Sequence, residues 1–134
     1  MKRIVLDTNV LISGMINAFG APGRIVDLLR EDMIGLVADD RILAEYTSVL
    51  MRPKFGAYFT ICDARNICGY LQHNCFYVVS TANINGLPDP FDAPFLEVAL
   101  TAGVPLVTGN LKHYPEQKRS GVEILTPTRY LEGE

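Results

Sequence analysis

Three acidic residues occupy positions from which their side chains can meet around a metal ion. Asp7 follows a short apolar run, Glu45 borders the apolar stripe of a helical segment, and Asp92 precedes another helical segment. Carboxylates that converge repel one another unless protons or cations compensate their charge, and Mg²⁺ and Mn²⁺ prefer such oxygen ligands. A bound ion of this kind orients a phosphodiester and lowers the pKa of an attacking water. The three residues therefore predict a Mg²⁺- or Mn²⁺-dependent nuclease site.

The elements that must position these residues alternate between strand and helix along the chain. Helical spacing of apolar residues predicts helices over residues 39–51 and 61–75, and Gly103 marks the end of a third helix that begins after Asp92. Short apolar runs predict parallel strands near residues 3–7, 33–38, 76–79, 105–108 and 122–125. This alternation predicts a three-layer α/β/α sandwich on a parallel sheet of about five strands.

The carboxyl edge of that sheet is where open α/β sheets bind ligands. Residues 7–9 follow the first predicted strand and residues 108–110 follow the fourth, so both polar segments lie at this edge. Asp92 faces the same edge from a helix N-terminus, where the helix dipole favours a negative charge. We expect Asp7, Glu45 and Asp92 to converge there, with Asn110 close by.

Each of these residues also has a plain structural interpretation. Asp7 and Asp92 suit the N-cap positions of the helices that follow them, and Glu45 suits a solvated helix face. Capping and metal binding are compatible for an aspartate, because its carboxylate has two oxygens. Asn110 follows Gly109 and suits a turn. The sequence leaves both interpretations open.

Length and composition limit the chain to one compact unit without a broad basic surface. The 134 residues suffice for one domain, which we expect to span residues 1–134. Hydrophobic residues make up 49% of the chain and charged residues 20%, which excludes overall disorder. The formal net charge of −3 excludes a bulk positive field that would hold nucleic acid, so any contact with phosphate must be local.

Two short basic segments are candidates for such local contacts. Arg52 and Lys54 bracket Pro53, and Lys112 and His113 follow the fourth predicted strand. A solvated helix end and a solvated loop explain the same residues equally well. The candidate substrate-binding residues are Thr8, Asn9, Arg52, Lys54, Lys112 and His113.

The apolar runs and the cysteines predict a cytoplasmic protein. The run before Asp7 has only three apolar residues, whereas the core of a secretory signal needs about 7–15. We find no run of the roughly 20 apolar residues that a membrane span requires. Cys62, Cys68 and Cys75 are odd in number and lack zinc-site spacing, so we expect reduced thiols, two of them on the buried stripe of a helix.

Other ligand-binding classes of the same architecture lack their defining residues. A dinucleotide-binding domain needs a glycine-rich turn after the first strand, where this chain has Asp7, Thr8 and Asn9. A P-loop is absent as well, and no pair of an acceptor aspartate in mid-chain and a late lysine indicates a phosphoaccepting domain. A nuclease and a non-catalytic RNA- or protein-binding module remain.

Several segments, taken together and in order, resemble the PIN-domain family, in particular its branch of VapC-type toxins. The segments are MKRIVLDTNVLIS, ILAEYTSVLMRPKF, DPFDAPFLEVAL, VPLVTGNLKHYP and EILTPTRYL. The resemblance covers nearly the whole chain and implies an α/β/α sandwich with metal-dependent ribonuclease activity. It implies that Asp7, Glu45 and Asp92 are the acidic site residues and metal ligands, supported by Thr8 or Asn9.

One position departs from the family pattern. Many members carry a fourth acidic residue after the strand that ends in LVTG, where this chain has Asn110. An asparagine offers a carbonyl oxygen and an amide donor but no charge, so we expect one tightly bound ion rather than two, and we include Asn110 among the catalytic candidates. Asp89 is the alternative source of the missing charge, although its place before Pro90 favours a turn.

The resemblance also implies partners. We expect an RNA substrate and an antitoxin protein that holds the nuclease inactive, and the fallback is a non-catalytic PIN-like module that binds RNA or protein. Phe55, Tyr58 and Phe59 form a cluster that suits a partner's helix or self-association into a homodimer. The alternative for these aromatic residues is that they pack back onto the core.

Overall fold

The computed structural model describes residues 1–133, and one or two α-helices separate successive strands except the last two, which only 3₁₀ turns separate. The predicted alternation of strand and helix therefore holds up to the fourth strand and is wrong between the fourth and the fifth. The strands are β1 (Lys2–Leu6), β2 (Ile34–Ala38), β3 (Phe76–Tyr77), β4 (Leu106–Val107) and β5 (Ile124–Leu125). The α-helices are α1 (Thr8–Ile16), α2 (Ala21–Arg30), α3 (Asp40–Leu50), α4 (Ile61–Asn74), α5 (Ala93–Ala102) and α6 (Pro127–Glu132). Short 3₁₀ turns span Pro53–Ala57, Pro90–Asp92, Leu111–His113 and Glu116–Lys118.

The five strands form one parallel sheet in the order β3-β2-β1-β4-β5. From the central β1 the chain moves outward through β2 and β3, and it then crosses back to β4 on the other side of β1. The gap between β1 and β4 is therefore the topological switch point, where ligands of open α/β sheets bind. The predicted parallel α/β sheet of five strands is confirmed, although its last three strands are only two residues long.

Both faces of the sheet are covered. Ile4, Val5 and Leu6 in β1 are each 0% exposed, and every residue of β2 is buried. Because successive strand residues point to opposite faces, burial of consecutive residues requires a layer on each side. Helix α5 contacts β1, β2 and β4 as the chain crosses back, while α2 packs against β2.

The helix ends follow local sequence chemistry. Asp39 caps α3 by accepting a hydrogen bond from the Ile42 N–H at 3.0 Å, and the predicted helix over 39–51 is confirmed with slightly shorter bounds. Thr60 and Asp63 form a capping box at the start of α4, which confirms the helix predicted over 61–75. Gly103 ends α5 with a φ of 68°, a left-handed conformation that glycine adopts at low cost.

The aromatic cluster after α3 mostly packs inward. Phe59 is buried, and Phe55 stacks on it with ring centroids 5.9 Å apart. Only Tyr58 remains largely exposed. The structure thus favours the core-packing alternative over a broad aromatic patch.

The structure also bears on the predictions of reduced, partly buried cysteines and of no membrane span. Cys62, Cys68 and Cys75 are free thiols, and the last two are half-buried against the core, as the helical stripe predicts. Within residues 1–133 no helix is both long and apolar enough to cross a bilayer.

Helices α1 and α2 approach closely at Gly14. A Cβ at this position would lie 2.6 Å from Val26 Cγ2 and 2.8 Å from the Pro22 carbonyl oxygen. We therefore expect Gly14→Ala to lower the free energy of unfolding by about 1–3 kcal/mol, as overpacking of a core does. Gly69→Ala is the matched control, because Gly69 is an exposed helical glycine on α4 with nothing within 4 Å of the added Cβ.

Urea denaturation of both variants distinguishes packing from helix propensity. Gly69→Ala should raise the free energy of unfolding by about 0.5–1 kcal/mol, because alanine is the better helix former. Equal stabilisation by the two alanine substitutions would contradict the close packing of α1 on α2.

Candidate active site

Asp7 stands at the carboxyl end of the central strand and is held there by the sheet. Its N–H donates to the Val107 carbonyl oxygen at 2.9 Å, which extends the pairing of β1 with β4 past the last residue of β1. The residue is also the N-cap of α1, where its Oδ1 accepts from the Asn9 N–H at 3.4 Å. Asp7 is only 4% exposed, so its carboxylate is both a cap and a buried charge.

The second oxygen of Asp7, Oδ2, faces two buried hydroxyls. Thr108 Oγ1 donates to it at 2.8 Å and Tyr114 OH donates to it at 3.4 Å. Both donor residues are fully buried. Sequence reasoning selected neither residue: Thr108 is recognisable only as a polar residue after a strand, and no pattern indicates Tyr114.

Asp92 reaches the same edge from the 3₁₀ turn that precedes α5. Asp89 caps this turn, with its Oδ1 accepting from the Phe91 N–H at 2.9 Å. The prediction that the Asp92 side chain caps α5 is wrong, because the 3₁₀ turn runs directly into the helix and Asp92 itself has helical φ and ψ angles of −81° and −15°. Its carboxylate is instead buried beside His113, with Asp92 Oδ2 3.2 Å from His113 Nδ1.

Glu45 lies half-buried at the margin of the apolar face of α3. Its Oε2 accepts a short hydrogen bond from Thr8 Oγ1, which links α3 to the first residue of α1. The next residue, Tyr46, is buried and donates its hydroxyl to the Leu6 carbonyl oxygen at 2.5 Å. Two neighbouring side chains thus attach helix α3 to the end of β1 and to the start of α1, on either side of Asp7.

A partly buried ion pair between Glu97 and Arg41 holds the segment that leads into Asp92. Glu97 on α5 is 5% exposed and accepts from Arg41 Nη1 at 2.7 Å and from the Ile84 N–H at 2.8 Å. Arg41 also donates to Asp39 Oδ2 at 2.8 Å. This network joins the start of α3, α5 and the segment before Asp92, so it holds that segment against the helices.

One group of possible metal-binding atoms results from this arrangement. Asp7, Asp92 and His113 each contribute an atom to a cluster in which all three atoms lie within 4.8 Å of one another. Glu45 stands outside that cluster and connects to it through Thr8. Asp92 Oδ2 and His113 Nδ1 are buried and make no hydrogen bond with any residue in the described part of the chain. A divalent cation fits this set, because it satisfies both unpartnered atoms and neutralises two carboxylates.

The segment that carries Asp7, Glu45 and Asp92 matches a known family. A family model described as a PIN domain covers residues 3–112. The chain belongs to the PIN domain family. A curated relative, an uncharacterized protein of Methanocaldococcus jannaschii, is 33% identical over 113 residues, which make up 81% of this chain and 70% of the relative.

Solved structures share the fold of this PIN domain at low sequence identity. VapBC-1 from nontypeable Haemophilus influenzae has a TM-score of 0.62 at 16% identity, covering 94% of this chain and 98% of that chain. VapBC2 from Rickettsia felis, solved with a DNA fragment from its promoter, has a TM-score of 0.58 at 15% identity, covering 92% and 98%. A domain of a functionally unknown protein from Methanocaldococcus jannaschii has a TM-score of 0.57 at 19% identity, covering 94% and 91%.

In this PIN domain Asn110 acts as a turn residue. Its Oδ1 accepts from the Lys112 N–H at 3.1 Å and caps the 3₁₀ turn that ends at His113. The same turn leaves Lys112 exposed next to the acidic cluster. Arg52 and Lys54 are exposed beyond the C-terminal end of α3, where the Lys54 ammonium lies 5.1 Å from the centre of the Phe55 ring. Roles for these basic residues in substrate binding stay predictions.

Among the acidic residues of the PIN domain site, Asp92 has a raised pKa. Burial raises the pKa of Asp92 to about 6, and the negative charge of Asp7 contributes to the shift in the same direction. The nearby His113 opposes it. Burial and the charge of Asp7 also raise the pKa of Tyr114 well above its ordinary value, so its phenol stays protonated and keeps donating to Asp7.

We expect Asp92 to make the stability of the metal-free protein depend on pH. Because its pKa is about 6 in the fold and near 3.8 in the unfolded chain, the folded state binds more protons between these values. The free energy of unfolding should therefore fall as pH rises from about 4 to about 6. Asp92→Asn should remove this contribution, which urea titrations in a chelator at several pH values would measure. Parallel pH profiles of the two proteins would refute the assignment.

Proposed function

We propose that this PIN domain is a Mg²⁺- or Mn²⁺-dependent endoribonuclease that acts as the toxin of a toxin-antitoxin pair. The observation that carries the proposal is the buried pair Asp7 and Asp92 at the topological switch point, with one oxygen of Asp92 unpartnered by the described residues. Buried carboxylates so close together need a cation or a proton to compensate them. Membership of the PIN domain family supports the nuclease assignment.

Hydrogen bonds preorganise the carboxylates of the site for this chemistry. When bound, the divalent ion would orient a phosphodiester and activate a water for attack on phosphorus. Asp7 is fixed by Thr108 and Tyr114, so its carboxylate needs no reorganisation to hold a ligand. Glu45, held by Thr8, adds a negative charge beside the Asp7 and Asp92 pair.

Few basic side chains near this site are available to attract RNA. The net charge of −3 provides no general attraction for a polyanion. Lys112 is the exposed cation on the turn that carries His113, so it is placed to contact a phosphate next to the scissile one. We therefore propose short, single-stranded or locally exposed RNA contacts rather than a long basic groove.

We expect Asp7→Asn to abolish metal-dependent RNA cleavage while leaving the fold intact. Asparagine keeps one oxygen as the N-cap acceptor for α1. Its amide NH₂ then takes the position of Oδ2, where the rotatable hydroxyls of Thr108 and Tyr114 can accept from it, and the charged ligand atom is removed. Loss of groups that only orient metal ligands costs about 10–100-fold, so loss of this carboxylate should lower the cleavage rate by at least about 100-fold. The measurement is the cleavage rate of an RNA pool with sequencing of the new ends.

Asp89→Asn is the matched control for that experiment. It removes a carboxylate of the same type from the turn beside the site, while its side chain still accepts from the Phe91 N–H. This variant should keep near-normal cleavage. If a folded wild-type protein does not cleave RNA with either ion, or if Asp7→Asn cleaves as well as wild type, the nuclease proposal fails and a non-catalytic RNA- or protein-binding module takes its place.

The toxin assignment is supported by the branch that the sequence resembles and by the VapBC structures that share the fold. An inhibiting partner would most simply place an arginine among Asp7, Glu45 and Asp92, where a guanidinium replaces the charge of the metal. We infer that the antitoxin and the cation compete for the same carboxylates.

Co-expression with the product of the neighbouring reading frame tests this competition. We expect a stable complex that neither binds Mn²⁺ nor cleaves RNA, and we expect both properties to return when the partner is stripped under denaturing conditions and the PIN domain is refolded. Absence of a complex, together with normal growth of cells that express this chain alone, would contradict the toxin assignment.

A further inference from the structure

Two buried atoms at the site face each other without a hydrogen bond. Asp92 Oδ2 and His113 Nδ1 lie 3.2 Å apart, and neither finds a hydrogen-bond partner in residues 1–133. Asp92 is 8% exposed, so water does not freely compensate its carboxylate. Leaving such groups unpaired is costly, which indicates a third species in contact with both atoms.

The separation of these atoms matches two ligands of one cation. Ligand atoms about 2.1 Å from an ion, in neighbouring positions of an octahedron, stand about 3.0 Å apart. The third member of the cluster, Asp7, brings a carboxylate oxygen to within 4.8 Å of both atoms. A direct hydrogen bond explains the arrangement less well, because the imidazole and carboxylate are not aligned for one.

The fold fixes His113 in this position from both sides. Before it, Asn110 caps the 3₁₀ turn through the Lys112 N–H. After it, Tyr114 is fully buried, with its hydroxyl directed at Asp7 and its carbonyl oxygen accepting from Arg119 Nε at 2.8 Å. The turn that positions the imidazole is therefore held by hydrogen bonds on both sides of His113.

We propose that His113 is a metal ligand through Nδ1 and that this nitrogen makes the site bind Mn²⁺ in preference to Mg²⁺. The inference rests on the metal site of the proposed function and goes further, because it adds a ligand of a different chemical type. Mg²⁺ favours ligand sets made of oxygen alone, whereas imidazole nitrogen is a good ligand for divalent transition ions. Asp7 and Asp92 supply oxygen to either ion, so His113 is the residue that discriminates between them.

Metal titration without RNA tests the proposal directly. Isothermal titration of the chelator-treated protein should show Mn²⁺ binding at least about 10-fold tighter than Mg²⁺ binding. His113→Asn should lower the Mn²⁺ affinity about 10-fold or more and change the Mg²⁺ affinity little. His113→Asp, which makes the set all oxygen, should raise the Mg²⁺ affinity. His73→Asn is the matched control, because His73 is an exposed histidine on α4.

The histidine count allows a second readout. The chain has two histidines, so its imidazole C–H region in an NMR spectrum holds the signals of His73 and His113 alone. Substoichiometric Mn²⁺ should broaden the His113 signals strongly and spare those of His73, because paramagnetic relaxation falls steeply with distance from the ion; this readout places the ion beside His113, and the affinity loss in His113→Asn identifies the ligand. The His113→Asn variant identifies the broadened signals.

The outcomes separate this proposal from the nuclease proposal. Mn²⁺ selectivity that depends on His113, without any RNA cleavage, supports the ligand assignment and contradicts the nuclease. Cleavage with equal affinity for both ions, unchanged in His113→Asn, supports the nuclease and overturns the ligand assignment. Failure of substoichiometric Mn²⁺ to broaden the His113 signals, with binding seen by calorimetry, also overturns it, because the ion would then bind away from His113.

Discussion

The parallel pairing of β1 with β4 is the constraint on which the site depends. The Asp7 N–H continues this ladder by donating to Val107, and the Thr108 N–H continues the adjacent ladder by donating to Leu125. Because both strand ends are fixed in register, the Thr108 hydroxyl meets the Asp7 carboxylate across the switch point. The turns before α5 and after β4 then place Asp92 and His113 next to these hydrogen-bonded strand ends.

The carboxylates of the site are compensated unequally. Asp7 accepts from two buried hydroxyls and Glu45 accepts from Thr8, whereas Asp92 lacks such a donor among the described residues at its Oδ2. Burial and the negative charge of Asp7 also raise the pKa of Asp92. The demand for a proton or a cation is therefore concentrated on one side chain, and the Glu97–Arg41 pair secures the segment that places it.

Local patterns predict much of this fold but only part of the site. Buried apolar runs indicate the strands, and the acidic residues at strand and helix ends follow from the topology of a parallel sheet. Tyr114 and His113 could be assigned no partner from sequence, because their contacts join residues on separate elements, such as Tyr114 to Asp7 across 107 positions. The sequence predicts a capping role for Asp92 that the structure does not show, because Asp89, three residues earlier, caps the 3₁₀ turn that leads into α5. These contacts and this cap depend on tertiary packing, which local sequence patterns do not determine.

Asn110, in place of a fourth acidic residue after β4, changes the net charge of the candidate metal site. Asp7, Glu45 and Asp92 bring three negative charges, so one divalent ion leaves an excess of one negative charge, while a four-acid centre with two ions is neutral. This excess weakens the attraction of a phosphate to the bound ion and strengthens the attraction of a guanidinium. Under the proposed function, this excess charge favours a cationic inhibitor over the nucleic acid, so activation would come from removal of the inhibitor rather than from competition by substrate.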